Sequence, residues 1–206
     1  AQKTDKKAQE VSVEAGTGYF KTTWTGKEVN KSMGEIKINN PNPSIGWGGI
    51  YWQYFEQLDK ITPSETPLSL KKQLFVERKT EDKITIEPVT EKTILKTGDR
   101  IKVRIELRVD RAMEYVHMKD MRASSFEPEN VLSQFKYQGG LGYYESTKDA
   151  STNFFFNYLP KGTFVFEYPL RVTHSGDFSN GITSIQCMYA PEFSSHSEGV
   201  RVNIKK

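Results

Sequence analysis

Hydrophobic and polar positions alternate most cleanly in Thr163–Thr173, where Phe164, Phe166, Tyr168, Leu170 and Val172 fall on every second residue. An extended chain sends successive side chains to opposite faces. These five therefore share one face, and Val165, Glu167, Pro169 and Arg171 share the other. No helical wheel gathers the five onto one stripe. Pro169 has no N–H to give to a ladder, which predicts an edge strand or a bulge. Burying five large apolar groups is worth roughly 7–15 kcal/mol, about what fixing the backbone of eleven residues costs. Such a strand needs a second apolar sheet.

A second alternation runs over Arg100–Asp110. Ile101, Val103, Ile105, Leu107 and Val109 point inward, while Arg100, Lys102, Arg104, Glu106 and Arg108 point out. It is the natural candidate for the sheet facing the Phe164 strand. Leu68, Leu70, Leu74 and Val76 share one parity, and Ile84 and Ile86 follow the charged turn Arg78–Lys83. Tyr115–Asp120, the aromatic run Asn153–Leu159, Ile182–Ala190 and Gly199–Ile204 predict further strands. Thr97-Gly-Asp, Gln138-Gly-Gly-Leu-Gly, Pro160-Lys-Gly, Ser175-Gly-Asp and Asn180-Gly punctuate them. Arg122–Ser133 reads as irregular, with one helical turn.

Nearer the N-terminus the pattern is shorter. Val11 and Val13, then Phe20, Thr22 and Trp24, then Ile36 and Ile38 each suggest a strand. Ile50, Trp52 and Tyr54 alternate with Tyr51, Gln53 and Phe55, so this segment is apolar on both faces and predicts cover on both sides. Thr62–Pro67 carries two prolines and reads as a linker. The expectation is an all-β chain, with an antiparallel sandwich over residues 63–206 preceded by a smaller partial β domain over residues 1–62.

Composition changes this picture little. Ten Tyr and twelve Phe suit strands. A net charge of +3 gives no reason to expect nucleic acid. The single cysteine, Cys187, excludes an intrachain disulfide, so stability must come from packing. No apolar run approaches a membrane span. Ala1–Glu10 is polar and charged, unlike a signal peptide. That leaves a cytosolic chain or a piece of something larger.

Candidate chemistry is sparse. His117, His174 and His196 have no metal-ligand spacing, and Cys187 would have to join them from another strand. There is no Gly-x-Ser-x-Gly elbow. Gly139, Gly140 and Gly142 lack the Lys and helix of a phosphate loop. No catalytic residue, metal or cofactor is assigned. The outward row Arg100, Lys102, Arg104 and Arg108 could meet an anionic partner, but Glu106 interrupts it and the wet face of a strand is the simpler reading. Trp24, Trp47, Tyr51, Trp52 and Tyr54 suit either a core or a sugar-binding platform. Cys187 alternates with Ile185 and Tyr189, which predicts a buried thiol and leaves Met188 facing outward with Gln186.

Four stretches together carry a resemblance. Gly16-Thr-Gly-Tyr-Phe, Gly48-Gly-Ile-Tyr-Trp-Gln-Tyr-Phe-Glu, the run from Gly139 to Phe156, and Ile185-Gln-Cys-Met-Tyr-Ala-Pro-Glu-Phe resemble the C-terminal end of bacterial alpha-2-macroglobulins. The resemblance implies that residues 63–206 form the last macroglobulin-type, immunoglobulin-like sandwich. It implies that residues 1–62 are the later part of a CUB-type β domain. Members of the family are large envelope proteins that trap proteases, so a periplasmic or cell-envelope location is implied, as are contacts with other domains of a parent chain and, through the parent, target proteases. The family thioester joins a Cys to a Gln three residues later; here Ala190 stands at that distance from Cys187, so Cys187 is not that cysteine. In thioester-bearing relatives the last domain shields the reactive bond with apolar side chains. By resemblance Met188 and Tyr189 are the candidates for that contact, with Tyr143 and Tyr144 behind them. Tyr189 qualifies only if its strand ends or bulges before Pro191. The alternative to a protease-trap module is a glycan-binding or adhesive sandwich, which predicts an exposed coplanar aromatic set. A hydrolase on a sandwich is disfavoured by the scattered histidines.

Overall fold

The computed structural model describes residues 18–19, 21–41, 43–79 and 83–206. They fall into two units, divided between Gln53 and Tyr54. The expected strand at Val11 and Val13 lies outside the described residues, as does Phe20.

In the first unit the described residues contain no strand. A 3-10 turn spans Lys31–Gly34, with the Asn30 side chain accepting from the Ser32 N–H. Ile36, Ile38, Ile50 and Trp52 are exposed, and Trp47 is 92 % exposed. Among the described residues, then, no strand forms at Ile36 and Ile38 or at Ile50, Trp52 and Tyr54, where the pattern predicts them. The physical reason is that a segment apolar on both faces needs ladder partners and cover, and an isolated strand or hairpin is marginal in water.

The second unit carries fourteen strands among the described residues: β1 Leu68–Lys79, β2 Ile84–Pro88, β3 Ile94–Lys96, β4 Arg100–Val109, β5 Met113–Met121, β6 Phe126–Pro128, β7 Gln134–Gln138, β8 Leu141–Lys148, β9 Ser151–Leu159, β10 Gly162–Val172, β11 Gly176–Ser179, β12 Thr183–Cys187, β13 Ser194–His196 and β14 Arg201–Lys205. They form a five-stranded sheet ordered β2-β1-β4-β10-β6, a six-stranded sheet ordered β13-β12-β5-β9-β8-β7, and a small sheet β11-β14-β3. All described pairs are antiparallel except β14 with β3. Expectation and structure agree on an antiparallel all-β sandwich.

The two alternations hold residue by residue. Ile101, Val103, Ile105, Leu107 and Val109 are buried, as are Phe166, Tyr168, Leu170 and Val172, with Phe164 packed at the margin. Their relation differs from expectation. β4 and β10 are not facing layers; they are neighbours in one sheet, paired from Gly162↔Val109 to Arg171↔Arg100. Alternation fixes which face a residue takes but not which strand lies beside it. The facing layer is the six-stranded sheet, which contributes Val116, Met118, Tyr143, Phe154, Phe156 and Ile185 to the same core. Pro160 and Lys161 carry the chain from one layer to the other, between the end of β9 and the start of β10.

Pro169 sits where its missing donor costs nothing. The Val172 N–H donates to the Asp99 carbonyl, so even-numbered residues of β10 turn their amides toward β4. The Pro169 nitrogen turns toward β6, whose pairing reaches only to Leu170. The expected edge is thus a partial one. The stretch expected to be irregular, Arg122–Ser133, contains the short strand β6.

Residues 57–66 are hydrogen-bonded to the last strands. Ser64 and His196 exchange both backbone bonds at 3.0 Å, and the Gly199 N–H donates to Ile61 at 3.0 Å. A Cβ at Gly199 would lie 1.7 Å from the Leu58 carbonyl oxygen, so this approach requires glycine.

Candidate functional site

β12 ends at Cys187, and backbone bonds hold the residues just beyond it. The Cys187 N–H donates to Phe193 at 3.0 Å, the Met188 N–H to Tyr115 at 2.9 Å, and the Phe193 N–H to Ala190 at 2.9 Å. Cys187 is buried, with its Sγ donating to the Glu114 carbonyl at 3.4 Å. Past Cys187 the alternation stops. Met188 is 60 % exposed and Tyr189 is 82 % exposed. Tyr189 therefore meets the condition set by its parity: the strand ends before Pro191 and the ring turns outward.

Tyr115 completes this corner, and the sequence pattern did not single it out as a site residue. It is the one described non-glycine residue with positive φ, at +53°. On β5 the inward positions are Met113 and then Val116, Met118 and Asp120, so the parity slips by one between Glu114 and Val116. The left-handed residue absorbs that slip, at a cost on the order of 1–3 kcal/mol. Its exposed ring meets Tyr189 edge-on, with centroids 5.4 Å apart and planes at 89°. Inward parity read back from Asp120 through Met118 and Val116 leaves Met113 out of phase, a trace of the slip that does not say which residue absorbs it.

The two remaining candidates separate. Tyr144 is exposed on the outer face of β8. Tyr143 is 2 % exposed, packed among Phe154, Phe156 and Phe166, with its hydroxyl donating to Gln138 at 3.0 Å. Burial, helped by the Glu145 charge, pushes its phenol up to about 12. As a surface-contact candidate Tyr143 is corrected: adjacent residues on a strand take opposite faces, and its face is the core.

Three members of the basic row, Arg100, Lys102 and Arg104, are paired with carboxylates where they lie. Arg100 holds Glu77 at 3.0 Å and Glu129 at 2.8 Å, Lys102 lies between Glu77 and Glu167, and Arg104 binds Glu167. Arg171 reaches Glu129 at 2.9 Å. Hydrogen bonds from Arg100, followed by the charges of Arg100 and Arg171, hold the Glu129 carboxyl below its ordinary 4.5 against a smaller opposing effect of burial. A depressed folded pKa stabilises above the unfolded value, and that stability is lost as pH falls through the folded value. Glu129→Gln should thus cost about 1 kcal/mol at neutral pH. Its thermal midpoint should fall less steeply than the parent sequence's on acidification below about pH 4.5. Parallel slopes in a thermal-melt pH series would contradict this.

The histidines do not converge. His117 bonds Asn153 at 3.0 Å and stacks on Phe155, His174 bonds Thr173, and His196 lies against Ser197.

Residues 68–192 match the Bacterial Alpha-2-macroglobulin MG10 domain. The chain belongs to this family. Among solved structures, the MG10 chain superposes on a Salmonella alpha-2-macroglobulin mutant with TM-score 0.56 and 14 % identity, over 71 % of its own length and 10 % of that chain. It superposes on native Escherichia coli alpha-2-macroglobulin, spanning domain MG7 to the C-terminus, with TM-score 0.53 and 12 % identity, over 70 % of its length and 24 % of that chain. The native E. coli protein solved by cryo-EM gives TM-score 0.54 and 11 % identity over 76 % and 10 %. No curated protein matches. The chain is thus a module that spans about a tenth of the two longest of these alpha-2-macroglobulin chains.

One polar cluster of the MG10 module lies inside the sandwich. Lys72 on β1 and Asp120 on β5 meet at 2.7 Å, each with 0 % side-chain exposure. The Lys72 ammonium also donates to the Met121 carbonyl at 2.6 Å. Thr183 donates to one Asp120 oxygen at 2.6 Å and the Tyr168 hydroxyl to the other. Burial, reinforced by Asp120, raises the Tyr168 phenol well above its usual range, so it stays a donor. Every strand in this cluster also contributes to the core, so the pair ties the two layers together.

Proposed function

We propose that this module is a non-catalytic part of a protease-trapping alpha-2-macroglobulin of the periplasm or cell envelope, where it packs on neighbouring domains and holds the parent in its resting state. Residues 63–206 are its sandwich, and residues 1–62 belong to a preceding CUB-type domain whose partner strands come from elsewhere in the parent. The observation that carries the reading is the corner Met188–Tyr189. Two large apolar side chains stand in solvent directly after a buried strand, fixed by the Cys187, Met188 and Phe193 amides and by Tyr115. Exposed apolar groups clustered on a rigid support mark a contact surface. In a parent with a thioester, this corner covers the bond and keeps water from it.

Met188→Ala in the intact parent should raise methylamine incorporation in the resting state several-fold and lower protease capture. An unchanged rate of both would remove the reading. Met188 is exposed here, so the substitution should leave the module's own melting temperature nearly unmoved.

A further inference from the structure

The outer faces of the two large sheets differ in kind. That of the five-stranded sheet is paved with ion pairs linking Arg100, Lys102, Arg104 and Arg171 to acidic partners. That of the six-stranded sheet carries an aromatic row instead. Phe135 on β7 stands opposite Tyr144 on β8, Tyr144 opposite Phe155 on β9, and Phe155 opposite His117 on β5. Phe135, Tyr144 and Phe155 are all exposed. His117 and Phe155 stack with centroids 4.7 Å apart and planes within 10°. β9 has no charged residue at all, and the outward residues of β7 are both aromatic. A groove of about 480 Å³ runs beside the row, walled by Phe135, Tyr144, Phe155 and Tyr158. Gly142 forms part of its floor: a Cβ there would come within 2.9 Å of the Phe135 ring.

We infer that this row is a docking face for another domain of the same parent chain, which presses an apolar surface against it in the resting state. The inference rests on the proposed function and extends it from one corner to a whole sheet face. Three observations choose this occupant. The row is continuous with the Met188–Tyr189 corner: beyond His117 the next partner is Gln186, Tyr115 lies two residues along β5, and Met188, just past the end of β12, donates its N–H to Tyr115. The row is uncharged, so it selects an apolar partner rather than an acidic or basic one. The module spans about a tenth of the long chains it matches, so a covalently tethered domain is the partner at hand. Tethering gives an effective concentration on the order of millimolar, at which a patch too small to hold a free partner is occupied.

Hydroxyl-radical footprinting read by mass spectrometry tests this. Labelling of Phe135, Tyr144 and Phe155 is compared between the 206-residue chain at low concentration and the intact resting parent. At least fivefold protection of all three in the parent is expected. Equal labelling in both would overturn the inference. Protection already present in the short chain and rising with its concentration would also overturn it, by assigning the face to a second copy. Met188 and Tyr189 are read in the same spectra. Their protection without that of the row defeats this inference and leaves the proposed function standing. Protection of the row with Met188 and Tyr189 fully labelled supports the docking face and defeats the corner as the shield. As a second measurement, Phe135→Ser with Tyr144→Ser in the parent should return Phe155 to the labelling level of the short chain, and unchanged protection of Phe155 would count against the face.

Discussion

Lys72→Met is expected to lower the stability of the sandwich by about 3–5 kcal/mol, the cost of leaving one member of a buried ion pair uncompensated. The Asp120 carboxylate would keep its bonds from Thr183 and Tyr168 but lose its counter-charge in a site without solvent. For a domain of this size the melting temperature should fall by about 10 °C. Asp120→Leu alone should be as severe, because it strands the ammonium together with two hydroxyls. The double variant Lys72→Met, Asp120→Leu is the informative one. Removing both charges avoids the unpaired ion, so it should recover much of the loss even though Tyr168 and Thr183 lose their acceptor. A thermal-melt cycle over the four proteins measures the coupling. Additive losses would show that the pair acts only as two separate packing groups.

Phe166→Ala should cost a similar sum, about 3–5 kcal/mol, by another route. Phe166 lies on β10 and touches three rings of the opposite layer: Tyr143 at 5.3 Å, Phe154 at 5.5 Å and Phe156 at 5.7 Å. Those rings belong to β8 and β9, whose ladder restrains any collapse into the space left behind. Urea titration should show a lower midpoint with an unchanged slope. Phe164→Ala, two residues away at the half-buried end of the strand, should cost clearly less. Equal losses at the two positions would deny that Phe166 is the junction of the aromatic core.

The sheet faces were legible because alternation is a local property. The inward sets on β4 and β10 come from letters two apart, and so does the outward turn of Met188. Strand adjacency is not local, so the pairing of β4 with β10 could not be read in the same way. The Lys72–Asp120 pair left a trace that apolar patterning passes over. Lys72 sits at the centre of the inward series Leu68, Leu70, Leu74, Val76, and Asp120 continues Val116 and Met118. A charge at a core position of one strand and its opposite on another is the sign of a buried pair. The N-terminal segment shows the converse. Ile50, Trp52 and Tyr54 carry a strand pattern, but pattern without a partner strand does not make a sheet. Of the corner, Met188 and Tyr189 could be named from the sequence, while Tyr115 could not, since its role comes from a backbone angle that no residue letter encodes.

The clasp between Ser64 and His196, with Gly199 wedged beneath Leu58, bears on how the chain is made. These contacts join the residues just before β1 to β13 and the loop after it, so the entry to β1 cannot be secured until Gly199 has been made and folded back onto it. Until then the greasy inner surfaces of both layers wait open for β12, β13 and β14. Closing the sandwich is therefore a late, long-range step, and the seam stays unlatched in any species that lacks those strands.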